Sequence, residues 1–118
     1  MRLLFFTIAF SFSVLASAQE SRIALVIGNA NYEKGKLRNP VNDALLMQST
    51  FQNLGFDVIL DTNITTRDHF YRTISTFLDK RIQYDVAFIY YAGHAVQIGG
   101  DNYMLATKEE YKSEREDG

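Results

Sequence analysis

Only two histidines occur in the 118 residues, and they sit in different settings. His94 follows Tyr90-Tyr91-Ala92-Gly93, at the break after an apolar run, whereas His69 falls in the first turn of an expected helix and reads as a surface residue. Imidazole is the commonest general base because its ordinary pKa lies near neutrality. His94 is therefore the candidate for proton transfer. The chain has no cysteine, which removes a disulfide scaffold, a thiolate zinc site and, within these residues, any thiol nucleophile. Asp43, Asp61 and Asp101 are scattered, and no histidine and carboxylate fall at ligand spacing, so neither a metal nor another cofactor is expected. Asp43 suits the positive end of a helix and Asp101 a turn. The segment Gly28-Asn29-Ala30-Asn31-Tyr32-Glu33-Lys34-Gly35 follows a buried-type strand, yet it matches neither G-x-G-x-x-G nor G-x-x-x-x-G-K-[ST], which speaks against a nucleotide site. Tyr90 and Tyr91 read as strand and core residues, and Gln97 as the outward face of a hairpin.

Charge and length narrow the classes further. With 12 Lys+Arg against 14 Asp+Glu, the formal charge is −2, and a nucleic-acid partner held through phosphates would need a basic patch. The length allows one domain at most. Met1-Arg2 leads into an apolar run from Leu3 to Leu15, followed by Ala16-Ser17-Ala18. A short positive start, about a dozen apolar residues and an A-x-A site mark a secretory signal over residues 1–18. The run is shorter than the roughly 20 residues a bilayer span requires. Cleavage is expected after Ala18, placing the rest in a secreted or periplasmic compartment with no membrane attachment.

Alternating elements follow. Ile23 to Ile27 is a continuous apolar run of the kind seen in strands buried on both faces. A polar loop spans Asn29 to Arg38, and Asn39-Pro40 reads as an N-cap with proline at the first helical position. Val41, Ala44, Leu45, Phe51 and Leu54 recur near helical spacing up to a stop at Gly55. Phe56 to Leu60 is a second strand. Thr65-Thr66-Arg67-Asp68 resembles a capping box, opening a helix whose apolar stripe is Phe70, Ile74, Phe77 and Leu78. Asp85 to Tyr91 is a third strand, and Ala95 to Ile98 with Asn102 to Leu105 forms a hairpin around Gly99-Gly100-Asp101. From Lys108 the chain is charged without apolar period. A β-α-β-α-β order implies an α/β fold with a mainly parallel sheet and right-handed crossovers. The third strand is apolar enough to expect a further neighbour, so the sheet reads as the front part of a larger domain.

In open α/β sheets, chemistry gathers beyond the carboxyl ends of the strands, where the strand order switches. With order 2-1-3, that place lies between the loop after Gly28 and the loop holding His94.

Arg22-Ile-Ala-Leu-Val-Ile-Gly-Asn29, Leu37-Arg-Asn-Pro-Val-Asn-Asp-Ala44, Leu54-Gly-Phe-Asp-Val58, Tyr90-Tyr-Ala-Gly-His94 and Gly100-Asp-Asn-Tyr103 resemble the caspase and metacaspase-like cysteine peptidases, nearest their bacterial secreted branch. The likeness runs from Arg22 to Leu105. It implies a three-layer caspase-hemoglobinase fold, here incomplete: β-α-β-α-β plus a hairpin over residues 19–107, with 108–118 as a charged tail or the start of the remainder. The activity implied is endopeptidase cleavage of peptide or protein substrates by a Cys–His dyad. His94 matches the catalytic histidine, and Ala95 supplies the backbone N–H of the oxyanion hole where the family usually has glycine. The loop from Asn29 to Arg38 would border the specificity pocket. In caspases the cysteine lies about 50 residues beyond the histidine, which puts it near position ~144, past Gly118. Two other readings stand beside this one: a pseudopeptidase that binds without cutting, and an unrelated α/β ligand-binding domain.

Overall fold

The computed structural model describes residues 19–109. The expected signal segment 1–18 and the tail from 110 onward lie outside the described residues. In chain order the elements are β1 (Arg22–Gly28), α1 (Pro40–Asn53), β2 (Phe56–Thr62), α2 (Arg67–Lys80), a short 3-10 turn (Arg81–Gln83), β3 (Val86–Ala92), β4 (Ala95–Ile98) and β5 (Asp101–Met104). β1, β2 and β3 form a parallel sheet of order β2-β1-β3, and β4 and β5 form a separate antiparallel pair.

Two half-cores cover β1, because strand side chains alternate between faces. Ile23, Leu25 and Ile27 pack on one face with Ile64, Phe70 and Phe77, while Ala24 and Val26 pack on the other with Ala44 and Phe51. Helices thus lie on both sides of the sheet, giving the three-layer α/β arrangement expected of an incomplete caspase-like fold. β1 is central and buried from Ile23 to Gly28; β3 is not. Among the described residues β3 pairs only with β1, and Phe88 and Ile89 remain 50% and 41% exposed.

Several local expectations are corrected. The buried stripe of α1 is Pro40, Ala44 and Phe51, with Met47 packed beside them. Leu45 and Leu54 fall outside it at 46% and 56% exposure: Leu45 lies about 100° around the helix from Ala44, and Leu54 is the C-cap. The Leu54 carbonyl instead accepts from Arg22 Nη1 at 2.9 Å. Asn39 occupies the N-cap position in helical conformation (φ −103°, ψ −17°) and makes no side-chain cap, since capping needs an extended residue there. On α2 the cap falls on Thr66, whose Oγ1 accepts from His69 N at 3.1 Å, one residue later than the expected box. Leu78 lies outside the α2 core stripe. β3 runs from Val86, where its register with Arg22 of β1 starts, to Ala92, and the Asp85 carboxylate just before it accepts from the Ser21 backbone N–H and hydroxyl. The hairpin turn is two residues, Gly99 and Gly100 at φ +58° and +88°, so Asp101 pairs with Ile98 instead of serving the turn. Positive φ at both central positions matches the twist of the flanking strands, and glycine adopts it without strain.

Candidate active site

Gly28 pairs with Thr62 on one side and Ala92 on the other, so the three strands of the sheet end at one level. The segments leaving that level are the loop from Asn29, the turn from Asn63 and Gly93-His94. Their convergence is where ligands and chemistry collect in such sheets.

The expected polar loop is buried at its root. Asn29 has no exposed surface and Tyr32 only 4%. Asn29 N donates to Ala92 O at 2.8 Å, its Oδ1 accepts from Ile64 N at 2.9 Å, and its Nδ2 donates to Leu105 O at 3.3 Å. One buried amide therefore joins the ends of β1 and β3, the turn after β2 and the end of the hairpin. Its polar groups are partnered, as burial requires. Ala30 O accepts from both Tyr32 N and Leu37 N at 2.9 Å, closing the loop on itself.

Tyr32 and Tyr91 bracket His94. The His94 N–H donates to Tyr32 Oη at 2.9 Å, and the imidazole lies 4.4 Å from the Tyr32 ring centroid. Tyr91 Oη donates to His94 O at 2.6 Å, the shortest of its contacts, and sits 3.1 Å from Tyr32 Oη. A tyrosine has one hydroxyl proton. With that of Tyr91 given to His94 O, the Tyr32 hydroxyl donates to Leu105 O (2.8 Å) or to Tyr91. Burial, followed by the hydrogen bond with Tyr32, holds the Tyr91 hydroxyl well above the usual tyrosine range. It stays a neutral donor at any physiological pH. Leu105 N closes the ring by donating to His94 O at 3.0 Å. Gly93 has no room for a side chain, since a Cβ there would come 2.5 Å from Tyr91 Oη and 2.7 Å from Tyr32 Oη.

The imidazole itself is fixed at one nitrogen. His94 Nε2 lies 2.6 Å from Gly35 O. A carbonyl only accepts, so Nε2 carries the proton and Nδ1 is left as the basic nitrogen of the neutral ring. Gly35 reaches this position at φ +80°, and a Cβ there would press on Nε2 at 3.1 Å. The arrangement can orient a base and fix its tautomer.

Ala95 follows as the first residue of β4, paired with Met104. The two-residue turn makes Ile98/Asp101 a hydrogen-bonded pair, and bonded pairs then alternate through Val96/Tyr103 to His94/Leu105. Ala95 and Met104 form a non-bonded pair between them, so the Ala95 N–H points away from β5. Gln97 is exposed on the hairpin. His69 is not a free surface residue: its Nε2 lies 3.1 Å from Asp61 Oδ2, which also accepts from Thr73 Oγ1 at 2.7 Å. That pair lines a shallow cleft of about 380 Å³ with Arg72 and Thr76. A larger apolar cleft of about 630 Å³ runs between α2, β3 and the hairpin, beside the Arg67–Glu109 ion pair. His94 lines neither. Among the described residues no group of three or more metal-ligating side chains occurs.

The loop holding Asn29 and Tyr32 stands beside His94, as expected from the sequence, whereas Asn63 and Tyr91 join its setting without having been expected there. Gly93-His94 at a strand end was a local signal; the tyrosines looked like ordinary strand and loop residues.

The caspase domain model matches residues 21–115, and the chain belongs to that family. No curated protein matches the chain.

Proposed function

We propose that this chain supplies the histidine half of a caspase-like cysteine endopeptidase, with the thiol contributed from outside these 118 residues. The observation that carries the reading is the His94 Nε2–Gly35 O hydrogen bond, which leaves Nδ1 as the working nitrogen. In this mechanism Nδ1 takes the proton of the incoming thiol and the thiolate attacks the scissile carbonyl. Nδ1 then returns the proton to the departing amine, and water releases the acyl group. The Ala95 N–H, turned off the hairpin, donates to the developing oxyanion; such a donor is worth about 2.7–4 kcal/mol in the best-studied case. Residues 1–18 direct the protein to a secreted or periplasmic compartment and are removed after Ala18. The substrate is a peptide or protein. A second reading is a pseudopeptidase that binds peptides without cutting.

The test is peptide hydrolysis by the pure chain, alone and joined to a cysteine-bearing segment of a caspase-domain protein. The chain alone is expected to be inert. The joined protein is expected to cleave, with a loss of at least about 100-fold on His94→Ala, the lower end of what a general acid–base contributes. Hydrolysis by the chain alone that is abolished in His94→Ala would require a mechanism without thiol. Peptide binding with no cleavage by a folded joined protein would favour the pseudopeptidase.

A further inference from the structure

The most unusual backbone at the carboxyl rim of the sheet belongs to Asn63. It is the one described residue other than glycine at positive φ (+51°), and it lies in the turn between β2 and α2, remote in sequence from His94. Asparagine tolerates this region better than most residues, but a turn alone would be served as well by glycine. The Asn63 side chain has a specific use. Its Oδ1 accepts from Ala30 N at 2.9 Å and Asn31 N at 3.1 Å, while its own N–H donates to Gly28 O at 2.9 Å. The next residue, Ile64, is fully buried and donates to Asn29 Oδ1. The two residues thus hold four consecutive positions of the loop root, from Gly28 to Asn31.

That root governs what reaches His94. Ala30 is the peptide on which the loop closes, since its carbonyl holds Tyr32 N and Leu37 N. Between those two points lie the Tyr32 ring against the imidazole and the Gly35 carbonyl on Nε2. Asn63 clamps the N–H side of Ala30, so the turn after β2 sets where the whole loop stands. We propose that Asn63 is a positioning residue for His94, holding the 30–37 loop so that Gly35 O keeps the proton on Nε2 and Nδ1 free of it. The proposal rests on the reading of His94 as the proton-transfer group, but it concerns the state of the imidazole and is measured there.

Three substitutions in the full chain separate the clamp from the turn. Asn63→Gly keeps the positive φ and removes the acceptor, Asn63→Asp keeps an acceptor at the same place, and Asn63→Ala loses both. The readout is the His94 tautomer, from nitrogen–proton correlation NMR of the neutral ring, together with hydrogen exchange at Ala30 and Asn31. In the unsubstituted chain the Nε2–H form should dominate and both amides should be protected. Asn63→Gly should lower the Nε2–H to Nδ1–H ratio by roughly tenfold, the size of one hydrogen bond, and deprotect both amides, while Asn63→Asp restores both signatures. An unchanged tautomer in folded Asn63→Gly overturns the proposal, as does failure of Asn63→Asp to restore it. If the variants do not fold, the unsubstituted chain decides: an Nδ1–H tautomer, or unprotected Ala30 and Asn31 amides, overturns the proposal, and the opposite pair of results supports it. Failure of the peptidase reading looks different. A joined protein without cleavage, in which the tautomer still follows Asn63, loses the enzyme and keeps the clamp; cleavage that depends on His94 with a tautomer indifferent to Asn63 does the reverse.

Discussion

Tyr91 links the stability of the chain to the orientation of its histidine. Its hydroxyl donates to His94 O, and burial keeps it protonated to higher pH than a free tyrosine. A group whose folded pKa is raised contributes stability that is complete below the unfolded pKa and is lost as pH climbs toward the folded one. The folded chain should therefore weaken above about pH 10, where tyrosines of the unfolded chain ionise. Tyr84, raised by its hydrogen bond to Asp57, acts with the same sign. Tyr91→Phe should cost about 1 kcal/mol near neutrality, the usual worth of a hydrogen bond, and make the decline at high pH shallower. Urea unfolding midpoints measured between about pH 8 and 11 check both. A parallel decline in the two proteins would contradict the assignment.

At the scale of the elements, α1 is set on the sheet by an absent side chain. A Cβ on Gly28 would strike the Pro40 carbonyl oxygen and approach Ala44 Cβ to 2.7 Å. Gly28→Ala should destabilise by about 1–3 kcal/mol as an overpacked contact against backbone, whereas Leu45→Lys, on the exposed side of the same helix, should stay within about 0.5 kcal/mol. Chemical denaturation distinguishes them. The same contrast shows what was legible in the sequence. The strands, both helices and the hairpin could be read because a buried strand or a helical stripe repeats within a few residues; the order β2-β1-β3, a premise of the sequence reading, is the one the structure has. The position of His94 just beyond β3 could be read because a strand end is a local event. Asn29 and Ile64 are 35 residues apart, Ala30 and Asn63 are 33, and Tyr32 and His94 are 62. Hydrogen bonds over such separations leave no period. A polar residue at the root of a loop, or a tyrosine at the end of a strand, looks the same whether it is solvated or buried. Leu45 and Leu54 show the opposite case: near-helical spacing alone does not settle which residues face the sheet, and the contacts go to Ala44, Met47 and Phe51 while Leu45 and Leu46 both stay exposed.

For the whole molecule, the outer edge of β3 is the weak side. An apolar strand paired on one side only presents open backbone groups to solvent and to other chains; among the described residues β3 is such a strand, and Phe88 and Ile89 are exposed on it. The chain alone should unfold at or below about 45 °C, the low end for mesophilic domains, and should self-associate with concentration. Ile89→Lys should reduce that association, because charge on an edge strand opposes pairing. Calorimetry and sedimentation test this; a cooperative transition above about 65 °C from a monomer would contradict it. The hairpin carries another consequence. Its base is fastened at His94 and Leu105, where the Leu105 carbonyl meets Asn29, Tyr32 and Tyr91, while its tip at Gly99–Gly100 stands exposed. Mechanically it is a cantilever: a load placed on the tip bends little along the paired strands and arrives as torque at the root, on the very peptide that carries the imidazole.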